Sequence, residues 1–109
     1  MRGLAFMLAT QRHAQCHAAA TLIVVTMGGW LNVDSNGWCW LIAAIGMVFS
    51  AEAFNTAIER LADRVTLERD PFIRQAKDVA AGAVLCAAIT AAIIGFIVLG
   101  PPLLARLLG

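Results

Sequence analysis

The chain has 109 residues, of which 61% are hydrophobic and 14% charged, and its mean hydropathy is +0.79. Soluble domains carry about 45–50% apolar and about 25% charged residues, so this composition excludes a disordered chain and argues against a soluble globular one. A net charge of +1 leaves no basic surface for nucleic acid.

The length allows one domain, residues 1–109. Three cysteines are an odd number, and Cys39 and Cys86 lie inside apolar runs. They read as buried small hydrophobes, not as a disulfide framework or a zinc site.

Residues 1–16 read as an interfacial segment. The first apolar stretch, Ala18–Leu31, reaches spanning length by borrowing its flanks and is taken as a first transmembrane helix over 17–33. A signal peptide is rejected, because the run begins only after Arg12, His13 and His17. Asn32–Gly37 is rich in turn residues and makes a tight connection. A second spanning helix covers 38–64, apolar from Trp38 to Ala51 and polar beyond. Thr66–Phe72 is the next connection, broken by Pro71. Val79–Leu99 holds 21 residues without a charge, the core of a third span over 75–100. Gly100-Pro101-Pro102 is expected to end it. The expected fold is all-α, an integral membrane bundle of three transmembrane helices.

Five of the eight basic residues (Arg60, Arg64, Arg69, Arg74 and Lys77) surround the second connection, and none lies in the first turn. By the positive-inside rule the N-terminus and the second connection face the cytoplasm. Trp30, Trp38 and Trp40 flank the outer turn, where an aromatic belt belongs. Ala83, Ala87, Ala91 and Gly95 recur every four residues and form a packing ridge. Three short helices bury little surface alone, so a homo-oligomer is expected.

The chemistry lies in the second span. Glu52, Asn55, Glu59 and Asp63 are spaced i, i+3, i+7 and i+11, which places them on one narrow stripe. Glu52 borders the apolar segment, where a carboxylate is costly unless partnered or functional. Lys77 and Asp78 open the third helix at the same membrane face. Arg60 and Arg64 read as the solvated end of a long helix. Carboxylates with a lysine suggest metal-assisted phosphoryl transfer, although no P-loop is present. A channel or transporter is disfavoured, because the acids gather at one face and line no path across.

These residues form two motifs. Glu52-Ala-Phe-Asn55-Thr-Ala-Ile-Glu59-Arg-Leu-Ala-Asp63 and Ala76-Lys77-Asp78-Val-Ala-Ala-Gly-Ala-Val-Leu85 resemble the small bacterial membrane kinases of the diacylglycerol kinase and undecaprenol kinase family. The resemblance implies a homotrimer in the bacterial inner (plasma) membrane. It implies that MgATP donates phosphate to the hydroxyl of a lipid, either diacylglycerol or undecaprenol. Glu52 matches the catalytic base and Glu59 a metal-ligating carboxylate. Asn55 and Asp63 match polar residues that shape the site. Lys77 and Asp78 match nucleotide contacts, and Glu68, Arg69 and Asp70 match the part of the connection beside the base and ribose.

Two departures stand out. The family's second metal-ligand glutamate falls on Gln11, which keeps a carbonyl oxygen but loses the charge that Mg²⁺ prefers. His13 and His17 share a helix face, but imidazole suits softer metals, so they are assigned to interfacial or headgroup contacts. The family's amphipathic surface helix precedes the first span. This chain begins at Met1-Arg2-Gly3-Leu4, late in that region, so a short, truncated helix is expected. Both departures motivate an alternative: a weak or inactive relative acting as a membrane binding or scaffolding protein.

Overall fold

The computed structural model describes residues 1–66 and 68–109. They form four helices in chain order: α1 Arg2–Thr10, α2 Arg12–Trp30, α3 Ser35–Val65 and α4 Pro71–Leu108. The molecule measures 58 × 26 × 21 Å. A 38-residue helix rises roughly 57 Å, so α4 runs its full length. Two helices, α3 and α4, are long and apolar enough to cross a membrane. The polar start of α2, with Arg12, His13, Gln15 and His17, keeps it below that hydropathy.

The helix ends follow local chemistry. Asp34 caps α3, its Oδ1 accepting from the Gly37 amide at 2.8 Å. Asp70 caps α4, its Oδ1 accepting from Phe72 N at 2.8 Å and Ile73 N at 3.2 Å, with Pro71 opening the helix. Asn32 adopts φ 54, the left-handed conformation that asparagine tolerates, and turns the chain from α2 into α3. The α1–α2 joint is closed by Gln15, whose Nε2 donates to the Leu8 carbonyl at 3.1 Å. Met7 and Ala14 are buried in that joint.

The main seam lies between α3 and α4, where Leu41, Ala44, Val48, Ala80, Ala87 and Leu99 are buried. Of the expected small-residue ridge, Ala87 is buried, Ala91 and Gly95 are half-buried, and Ala83 is exposed. At the turn end, Leu31, Leu41 and Leu99 form an apolar cluster with Met27, Trp38 and Leu103 against it. Gly28 is required there: a Cβ on it would lie 2.8 Å from the Trp38 ring.

Two expectations are corrected. The helix does not stop at Gly100-Pro101-Pro102 but continues to Leu108. Tertiary contacts hold the final turns: Leu103 packs on the leucine cluster, and Arg106 Nη2 donates to the Trp30 carbonyl at 3.0 Å. The Arg106 guanidinium also stacks on the Trp30 ring at 5.0 Å. The cysteines are not buried. Cys16, Cys39 and Cys86 are free and exposed, because so few helices leave most of each helix surface uncovered.

Candidate functional site

Glu52 is buried, with 4% of its surface exposed, and among the described residues it is the only buried charged one. A carboxylate so placed needs a partner. It has one: His17 Nε2 of α2 lies 3.0 Å from Glu52 Oε1. The assignment of His17 to headgroup contacts is therefore corrected; its imidazole turns inward. No periodicity signals this pairing, since the two residues lie on different helices and are far apart in the chain.

The expected stripe on α3 divides along its length. Asn55 lines an apolar groove of about 650 Å³ with Phe54 and Ile58 of α3 and Phe72, Val79 and Ala83 of α4. Its Oδ1 is buried without a hydrogen-bond partner, an acceptor left open. Glu59 is exposed, and among the described residues no lysine, arginine or histidine forms a salt bridge with it. Asp63 Oδ1 accepts from Lys77 Nζ at 2.6 Å, joining the two motifs across the α3–α4 seam.

Beyond that pair a polar cavity of about 840 Å³ opens between the end of α3, the connection and the start of α4. It gathers Asp63, Glu68, Arg69, Asp70, Lys77 and Asp78, with Arg74 also on its wall. Asp70 therefore both caps α4 and lines the cavity. The Glu68 amide donates to Thr66 Oγ1 at 3.0 Å, which shapes the connection. Arg60 is exposed, as its place at the polar end of α3 suggests, and its guanidinium stacks on the Phe6 ring at 4.7 Å, tying α1 to the same end of α3.

Among the described residues no three His, Cys, Asp or Glu are grouped to hold a metal ion. The donors nevertheless fit Mg²⁺ bound together with a nucleotide. Such ions take one or two carboxylates and draw the rest of their shell from substrate phosphates and water. The free carboxylate of Glu59 supplies one hard oxygen donor. Gln11 is half-buried at the N-terminal cap of α2 and offers only an amide oxygen.

The chain matches the prokaryotic diacylglycerol kinase family over residues 1–99. It is 38% identical over 102 residues to an undecaprenol kinase of Bacillus subtilis (strain 168), covering 94% of this chain and 83% of that protein. It is 37% identical over 103 residues to a diacylglycerol kinase of Synechocystis sp., covering 94% of this chain and 59% of that one. Against a diacylglycerol kinase of Escherichia coli (strain K12) the identity is 38% over 74 residues, covering 68% and 61%. Matched over nearly its whole length, the chain belongs to the prokaryotic diacylglycerol kinase family.

Proposed function

We propose that this protein is a membrane lipid kinase that transfers the γ-phosphate of ATP to the hydroxyl of diacylglycerol or undecaprenol. The observation that carries this reading is a buried carboxylate, Glu52, on the same helix as a polar cavity that holds Asp63, Lys77 and Asp78.

Glu52 and Asp63 are separated by roughly 16 Å of helical rise. No single side chain bridges that distance; a nucleotide held in the cavity, with its triphosphate directed past Glu59, would carry its γ-phosphate toward Glu52. In the transfer, the lipid oxygen attacks the γ-phosphorus, a new O–P bond forms, and the bond to the β-phosphate oxygen breaks. ADP leaves with that electron pair. Glu52 takes the hydroxyl proton. Lys77 offers a compact positive charge to the phosphates. Glu59, with Gln11 as a weaker contact, would hold Mg²⁺, which neutralises charge on the β- and γ-phosphates when bound. The apolar groove at Asn55 suits the lipid chain, and Asn55 Oδ1 remains an open acceptor on its wall.

The chain is read as a three-span protein of the inner membrane, with α2 as the first span. Its N-terminus and the α3–α4 connection are cytoplasmic, where their arginines and lysine favour them. Uncovered apolar residues such as Phe54, Val79, Ile93 and Phe96 offer area both to lipid and to further copies, in keeping with a homotrimer.

The test is phosphate transfer from labelled ATP with Mg²⁺, in mixed micelles, with diacylglycerol and undecaprenol offered in parallel. Transfer to one of them is expected, and Glu52→Ala should lower it about 10²- to 10⁴-fold. No transfer to either lipid from folded protein refutes the kinase reading. Full activity in Glu52→Ala removes Glu52 from the role of base.

A further inference from the structure

Glu52 has two carboxylate oxygens, and the structure accounts for one of them. His17 Nε2 lies 3.0 Å from Oε1, with the Glu52 side chain 5% exposed and that of His17 27% exposed. A glutamate has three rotatable bonds, and an unheld side chain samples several rotamers. A donor fixed on a neighbouring helix removes that freedom. The His17 Nε2 sits at ion-pair distance from Oε1, close enough to hold that oxygen in place.

We propose that His17 is the positioning residue for Glu52: it holds Oε1 so that Oε2 is presented to the acceptor hydroxyl. This rests on the kinase reading above. His17 acts through Glu52 and does not itself touch the lipid.

Three observations support the assignment. The other basic side chains with defined partners are engaged elsewhere: Lys77 with Asp63, Arg60 on the Phe6 ring and Arg106 on Trp30. The second is where the imidazole lies: His17 is half-buried and lines a small apolar cavity of about 240 Å³ with Leu41 and Val48 of α3.

The third is the register of the α2–α3 hairpin. His17 lies 17 residues before Asp34 and Glu52 lies 18 after it (34 − 17 and 52 − 34). Two antiparallel helices joined by a short turn bring such residues level. Seventeen residues of helix rise roughly 26 Å, against a hydrocarbon core of about 30 Å. With the turn at the outer face, the pair lands near the cytoplasmic interface, where a lipid hydroxyl and ATP can meet. Gln11 is the N-cap of the same helix, so α2 and its cap carry both the weak metal contact and the residue that aims the base.

The test compares two amides in the full-length protein. His17→Gln keeps a donor near the position of Nε2. His17→Asn has a shorter amide that does not reach Oε1. For His17→Asn we expect kcat to fall about 10- to 100-fold, the scale of a base misplaced by an ångström, while KM for MgATP and for lipid changes only a few-fold. His17→Gln should recover most of the lost kcat. A loss seen only in KM, or Gln no better than Asn, overturns the positioning role, as does wild-type kcat in His17→Asn.

Wild type and Glu52→Ala are assayed alongside. An active wild type with an inactive Glu52→Ala and an unaffected His17→Asn refutes only this proposal. A wild type that transfers no phosphate refutes the kinase reading and this proposal with it. Should His17→Asn not fold, His17→Ala takes its place on the same criteria, judged against His17→Gln.

Discussion

The α2–α3 turn sets the register on which the site depends, and Gly37 is its tightest point. A Cβ on Gly37 would collide with Val33 Cγ1 and come within 3.2 Å of both Asp34 Oδ1 and Val98 Cγ1. Three elements would have to give at once: the end of the turn, the cap of α3, and α4. Overpacking of this kind costs about 1–3 kcal/mol, and a disturbed N-cap about 1 kcal/mol more. Alanine returns up to about 1 kcal/mol of helix propensity. Gly37→Ala should therefore destabilise the protein by about 1–3 kcal/mol.

Gly46 lies on the same helix, and a Cβ added there would meet nothing within 4 Å. At that position the same substitution yields only the propensity gain and should stabilise by about 0.5–1 kcal/mol. The assay is thermal unfolding in detergent followed by far-UV circular dichroism. For a chain of this size, 1 kcal/mol corresponds to about 4–8 °C in Tm. Gly37→Ala is expected to melt at least about 4 °C below wild type, and Gly46→Ala at or above it. The same sign of shift in both variants would refute the claim that close contact, not glycine as such, decides the outcome at the turn.

Two predictions concern the two ends of the molecule. Gln11→Glu restores a charged oxygen donor, so the Mg²⁺ concentration for half-maximal phosphate transfer should fall; an unchanged Mg²⁺ titration would separate Gln11 from the metal. Arg106→Ala removes one hydrogen bond and one ring stack at the turn end, and should lower stability by about 1–2 kcal/mol. Its transfer rate per folded molecule should match wild type, because Trp30 and Arg106 lie far from Glu52; a large fall in kcat would show that the turn end governs the site.

Much of this protein is legible in its residues. Uncharged runs and turn residues mark the helices, because a helix in lipid must satisfy its backbone internally and present apolar side chains outward. The i, i+3, i+7, i+11 spacing brings Glu52, Asn55, Glu59 and Asp63 to one side of α3, because 3.6 residues make a turn. The same reasoning places Lys77 at the level of Asp63 across a short connection, and the salt bridge at 2.6 Å agrees. The two motifs carry the family.

What lay beyond the sequence is which helix faces meet. Glu52 reads in the sequence as an uncompensated cost, and only the packing of α2 supplies His17 beside it. Pro101 and Pro102 look like a stop, yet contacts from Leu103 and Arg106 hold the helix past them. Cys39 and Cys86 look buried because their neighbours are apolar, yet they lie on exposed surface. Periodicity reports the direction of a side chain about its own axis and nothing about the neighbouring axis. Pairing across helices depends on the turn that fixes their register and on the contacts that lock it, and both are properties of the assembled fold.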